Sequence, residues 1–335
     1  MAAIRNWWGV RMVMRENLSS ALGRSRAKIL LALFAAAPAF AAGQGIPVTK
    51  ISTVATHARR DLVENSTAAM STRQPGVFFT INDSNNPAVL FAMDTTGADR
   101  GTWRVLDAEN ADWESAAIGT CGDSRKGRKS AGVTSCIYIG DTGDNKERRP
   151  SRRIYRAPEP TATSRGASDT LRAEHVVYQY SDGPHDVEAM FVAPNGDIFL
   201  ITKRPRFDAG RRLRPALVFR LAAAVWTQKG HAIAELIDSL PIISGSAPLR
   251  LISDASLSPD HAHLAVRTYT QVFIFATDTI TGRVNHSLAP MMCDIVKLGE
   301  PQGEGVTWAN NAGRLLFTSE GQSTPLHLAD CPLPR

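Results

Sequence analysis

Past residue 45 the apolar positions come in short runs, and no run keeps a helical period for long. The runs are "GVFFTIND", "AVLFAMD", "CIYIGD", "DIFLITK", "ALVFRL", "HLAVRTY", "QVFIFAT" and "RLLFTSEG". Each is rich in β-branched and aromatic residues and is bounded by Gly, Asn, Asp or Pro, which is the pattern of strands. "APNGD" at 193–197 sits between two such runs and predicts a tight hairpin. The chain therefore reads as all-β, without a linker or a low-complexity segment.

Five segments share one frame: "NSTAAM" (65–70), "WESAAI" (113–118), "VEAMFV" (187–192), "SDASLS" (253–258) and "GEGVTW" (303–308). In each, a polar position precedes small or apolar residues, and a second, strongly apolar strand follows. The segments start 48, 74, 66 and 50 residues apart. Roughly 40–45 residues make one four-stranded blade of a β-propeller, and insertions account for the rest. The pattern predicts a single-domain propeller of five blades; a sixth would have to lie within 205–250. The last repeat runs out of chain before its fourth strand, and "IPVTKIS" near the start is expected to complete it and close the ring.

In a propeller the first strand of each blade lines a central channel. The frame position, Ser66, Glu114, Glu188, Asp254 and Glu304, is then expected to ring the channel mouth. Asp83, Asp141, Asp144, Asn145, Lys203, Arg267 and Glu320 end the neighbouring strands or loops and should converge on it. Like charges around a narrow pore are unfavourable without compensation. A hard cation such as Ca²⁺, which takes six to eight oxygens, is one remedy. Lys203 and Arg267 are another, and they are also the candidate contacts for a ligand, together with Asp83 and Glu320. Backbone N–H donors from the next blade are a third. "GDTGDN" at 140–145 is the densest oxygen-bearing loop and supplies Asp141, Asp144 and Asn145 as metal-ligand candidates beside Glu114, Glu188, Asp254 and Glu304. Glu188, Asp141 and His185, expected at the mouth, are the candidates for acid–base work.

Residues 1–41 read as a secretory leader. Arg24, Arg26 and Lys28 precede an apolar run of about 14 residues that ends in Ala39-Phe40-Ala41, a small-x-small cleavage pattern. The run is shorter than the roughly 20 residues of a membrane-spanning helix. The leader changes the charge picture. The whole chain carries +6, but without six basic residues and one acidic residue of the leader it carries 32 basic against 31 acidic, or +1. That balance gives no reason to expect a nucleic-acid partner. A monomer is expected, in the periplasm or secreted, with no stable membrane anchor after cleavage. Four cysteines in an exported chain predict disulfides. Of the three pairings, Cys121–Cys136 and Cys293–Cys331 are favoured, because the first brackets a loop between two strand-like runs and the second ties down the C-terminus.

The sequence holds no GxSxG elbow, no HExxH, no P-loop and no dinucleotide fingerprint. "DWESAAIG", "IYIGDTGDN", "IYRAPEP", "DVEAMFVAPNGDIFLITK" and "GEGVTW" with "LLFTSEG" resemble a group of exported bacterial β-propellers. They are more distantly similar to phytase-like, esterase-like and NHL-type propellers. A phytase-like likeness implies a calcium-lined acidic funnel, with Glu114, Asp141, Glu188, Asp254 and Glu304 as ligands and Lys203 and Arg267 as phosphate contacts. Five repeats instead of six, and Ser66 in place of an acid, depart from that pattern. The expected function is a funnel that binds a small polar or anionic ligand, stabilised by Ca²⁺. The alternatives are a metal-assisted phosphoester or ester hydrolase and a cell-surface interaction scaffold.

Overall fold

The computed structural model describes residues 46–121, 135–163, 166–204, 215–228, 230–242, 251–309 and 313–334. The leader, the basic cluster at 125–129 and Arg206 lie outside the described residues. Residues 42–335 form one compact unit. Two disulfides close in it, Cys121–Cys136 and Cys293–Cys331, which is the favoured pairing and fits an oxidising environment. Among the described residues no helix is long and apolar enough to cross a membrane.

Strands β1 (Ile46–Pro47) and β2 (Thr49–Thr56) lead the chain. Five antiparallel meanders follow. The first is β3 (Ala69–Met70), β4 (Val77–Ile81), β5 (Val89–Asp94) and β6 (Asp99–Leu106). The second runs through β7 (Trp113–Thr120), β8 (Ser135–Asp141) and β9 (Arg152–Pro158). The chain then leaves to lay β10 (Ser168–Arg172) parallel to β6, and returns as β11 (Glu174–Tyr180) beside β9. The third is β12 (Val187–Val192), β13 (Ile198–Thr202), β14 (Ala216–Leu221) and β15 (Ala232–Leu240). The fourth is β16 (Ile252–Leu257), β17 (His263–Thr268), β18 (Gln271–Ala276) and β19 (Met291–Asp294). The fifth is β20 (Gly303–Trp308), β21 (Arg314–Ser319) and β22 (Pro325–Asp330), with β2 as its fourth strand.

Side-chain alternation turns these meanders into a ring. Adjacent residues on a strand face opposite ways, so each blade packs on two neighbours. Phe78 joins the core shared by the first and fifth blades, and Phe79 the core shared by the first and second. Met190 faces the second blade and Phe191 the fourth. A fifth core, with Val272, Ile274, Trp308 and Phe317, joins the fourth blade to the fifth. The inner strands neighbour one another in the order β3, β7, β12, β16, β20 and back to β3. The molecule is an all-β propeller, and the pairings of its described residues account for five blades. Trp113 and Trp308, both fully buried, are packing residues in two of these cores.

The N-terminus closes the ring as the sequence suggests, and it does so twice. β2 pairs antiparallel with β22 in the fifth blade, while β1 lies parallel to β19 on the fourth. On the opposite side, β11 and β15 pair in parallel and fuse the second and third blades into one eight-stranded sheet. The hairpin at "APNGD" turns through Gly196 at φ +86°, with Asn195 Oδ1 accepting from Asp197 N at 3.0 Å.

Candidate functional site: an acidic channel mouth

Each inner strand from the second blade on carries a register skip near its start. The skips fall at Glu114, Glu188, Ser253 and Glu304-Gly305. A bulge leaves one residue out of the ladder and re-aims its side chain. Three of the four sites carry a glutamate, and the three interact as one group. Burial raises the carboxyl of Glu114, and Glu188 and Asp83 raise it further. Burial raises Glu304 as well, again with Glu188 adding to it. Glu188 is also raised by burial, against the pull of Lys203, whose Nζ lies 2.5 Å from Glu188 Oε1. Burial disfavours the Lys203 ammonium, but Glu188 and Glu114 beside it hold its proton and leave its pKa raised. Tyr269 stands in the same field, its hydroxyl pushed up by burial and then by Glu304. Gln302 Nε2 bridges Glu304, at 2.8 Å, and Glu320 at the rim.

The repeat frame slips by one residue in the fourth blade. The residue equivalent to Glu114 and Glu188 is Ser253, whose hydroxyl donates to Glu304 O at 2.9 Å. Asp254 therefore sits one step deeper, not in the mouth ring. Fully buried, it accepts from Thr67 Oγ1 at 3.1 Å, Ala68 N at 3.1 Å, Val306 N at 2.9 Å and Ala255 N at 2.8 Å. Its carboxylate ties the first, fourth and fifth blades together across the axis. In the first blade the frame residue is Ser66, whose hydroxyl turns back to Glu64 O.

Beside the glutamates, Asp83, Asp112 and Glu114 bring one carboxylate oxygen each within 4.8 Å of one another. Asn110 makes this convergence. Its Nδ2 donates to Asn82 O and Asp83 O, at 3.0 and 2.7 Å, while its Oδ1 accepts from Trp113 N at 2.9 Å. The "INDS" turn is thereby lashed to the start of β7. Burial and the neighbouring Asp83 raise the Asp112 carboxyl to about 6. The "GDTGDN" loop forms the floor. A Cβ on Gly143 would lie 2.6 Å from Asp112 Oδ2 and 2.8 Å from Glu114 Oε1, so only glycine leaves room for both carboxylates. Asp112 lies within the "DWE" motif, but a strand-only view hides it, because it precedes β7 and reaches the mouth through the loop.

Other candidates serve elsewhere. Asp141 is buried beneath the cluster, its Oδ1 accepting from Asp112 N at 3.1 Å and Arg149 Nη2 at 2.7 Å. Asp144 is not turned to the mouth but paired with Arg152 at 2.5 Å, both groups buried. Asn145 is held by Arg204, with 2.6 Å from Nη2 to its Oδ1. Arg267 is not a free ligand contact. Wholly buried, it donates to Gly305 O at 2.6 Å and Thr318 O at 3.1 Å, pairs with Glu300, and joins the fourth blade to the fifth. His185 does not stand at the mouth either. Its ring wedges between Tyr180 and Phe219, with centroids 5.1 and 4.7 Å away, and Nε2 lies 2.7 Å from Asp182 Oδ1.

No protein-family model matches the sequence, and no curated protein does. Solved structures of similar shape are propellers or propeller-like enzymes at low identity. A gluconolactonase of Xanthomonas campestris has 14% identity and a TM-score of 0.43, over 87% of this chain and 99% of that one. Virginiamycin B lyase of Staphylococcus aureus has 14% identity and a TM-score of 0.36, over 79% and 66%. The calcium form of a Trichoderma reesei carbohydrate-active enzyme of family AA12 has 11% identity and a TM-score of 0.40, over 79% and 80%. At such distances neither activity nor ligand passes from one to the other.

Proposed function

We propose that this is an exported propeller whose acidic mouth binds a divalent cation, Ca²⁺ by its ligand chemistry, and with it a small polar or anionic ligand. The convergence of Asp83, Asp112 and Glu114 over Gly143 carries this reading. Two oxygens that share a Ca²⁺ at about 2.3–2.6 Å stand up to about 5 Å apart, so the three carboxylates fit one ion. They leave about half of its shell for water and for oxygens of a ligand. When bound, the ion would supply positive charge in a mouth that otherwise has Lys203 among its carboxylates. The leader and the two disulfides support export.

A melt of residues 42–335, stripped with chelator and titrated with Ca²⁺ and separately with Mg²⁺, tests it. Binding to the native state raises Tm in a saturable way. The expected outcome is a rise with Ca²⁺ that Asp112→Asn and Glu114→Gln abolish; an unchanged Tm overturns the reading.

One observation favours a second reading, a metal-assisted phosphoester or ester hydrolase. Glu188 is a buried carboxyl with a raised pKa next to Glu114, the environment of a general acid or base. If so, Glu188→Gln removes turnover of p-nitrophenyl phosphate or acetate while Ca²⁺ still raises Tm. Absence of turnover in the Ca²⁺-loaded wild type leaves the binding function alone standing.

A further inference from the structure

The channel has a second end, and its chemistry is the reverse of the first. Asp254 bonds to Thr67, and Thr67 Oγ1 accepts from Ala116 N at 3.2 Å, so a hydrogen-bonded bar crosses the axis through four blades. Beyond it, the later halves of all five inner strands enclose a cavity of about 420 Å³. That is within the roughly 300–1,000 Å³ of small-molecule pockets. Its walls include Ala117, Met190, Ser256, Thr307 and Trp308. Among its described lining residues there is no Asp, Glu, Lys or Arg.

The inner strands are the edge strands of their blades, each paired on one side only. An edge strand presents a row of N–H and C=O groups without ladder partners. Near the bar, side chains take up some of these, as where Met70 N donates to Thr307 Oγ1 at 3.1 Å. Ser256 and Thr307 hydroxyls face each other at 3.3 Å within the wall. The cavity thus combines small apolar side chains with hydroxyls and strand-edge backbone, and among its described lining residues His261 is the one ionisable side chain, with no carboxylate, ammonium or guanidinium beside it to balance an ionic charge. Burying an unpaired ion there would be costly, whereas a neutral hydrogen-bonding molecule finds donors and acceptors.

We infer that this end of the channel is a separate binding site for an uncharged small molecule bearing amide or hydroxyl groups. It is independent of the acidic mouth, because the Asp254–Thr67 bar lies between the two.

Saturation-transfer NMR on the wild-type protein tests the inference. The probes are N-acetyl-alanine methylamide and methyl glucoside, with N-acetyl-alanine as the carboxylate control, each at a few millimolar. Transfer to at least one neutral probe but not to the control is expected, and it is unchanged by EDTA and by Asp112→Asn. Ser256→Phe fills the cavity from its partly exposed wall and lowers the transfer at least about fivefold, as for a pocket whose volume is taken up. Ala117→Leu serves the same purpose should the first variant not fold. Absence of transfer to both neutral probes, equal transfer to the control, or transfer that survives in a folded, filled variant overturns the inference.

Discussion

Asp254 is a joint between blades, and its ionisation bears on stability. With four donors from three blades on one carboxylate, its removal strands buried N–H and O–H groups, each worth about 1–3 kcal/mol. Asp254→Ala is expected to cost about 3 kcal/mol or more in urea unfolding. Burial outweighs those hydrogen bonds and raises the carboxyl from 3.8 to about 8. Between these values the native state keeps a proton that the unfolded chain has lost. This residue's contribution to stability therefore falls as pH rises through that window, by at most about 1.4 kcal/mol per pH unit, and levels off above it. Urea midpoints from pH 5 to 8 should show that fall, and Asp254→Asn should lack this share of it. Gly143 is the second telling position. Gly143→Ala drives a methyl into Asp112 and Glu114, so it should abolish the Ca²⁺-induced rise in Tm even where the metal-free protein still folds. At this scale the sequence is partly legible. The glutamates at 114, 188 and 304 are visible as a repeat. "SDAS" offers Ser and Asp side by side, and only the bulge decides which one faces the mouth, since a slip of one residue exchanges faces. Arg267 and His185 carry no local sign that neighbouring blades use them up.

The strands with an apolar pattern are readable because the ring buries both faces of the inner ones; all six residues of β12 are buried. β10 is not. "SDTLR" has one buried residue, Leu171, which reaches the core of the first and second blades, and otherwise adds to the first blade mainly through backbone pairing with β6 and a Ser168–Thr102 hydroxyl contact at 2.9 Å, which leaves little trace in side-chain pattern. The disulfides also differ as elements. Cys121–Cys136 closes a 15-residue loop between β7 and β8 of one blade, and Cys293–Cys331 a 38-residue loop from β19 to the segment after β22, across two blades. Chain-entropy estimates give about 3 and about 4 kcal/mol. Replacing Cys293 and Cys331 by Ser should lower Tm more than replacing Cys121 and Cys136, and the gap should exceed the entropic difference, because the longer bridge also holds the fourth blade to the fifth.

At the scale of the molecule, five frame segments are enough to foresee a ring, because each blade must bury two faces and only a closed cycle supplies every blade with two neighbours. The chemistry of the two channel ends is less legible, since it depends on where the bar crosses the axis, and Thr67, Ala116 and Asp254 stand far apart in sequence. The ring also has a history in time. β1 and β2 are made before every other strand, yet their partners, β19 and β22, end at Asp294 and Asp330. The earliest strands thus wait for the latest, and no nascent chain shorter than about that length has a closed form to adopt. Pairings so distant along the chain form slowly. Throughout synthesis the faces of the first and last blades stand open and prone to association.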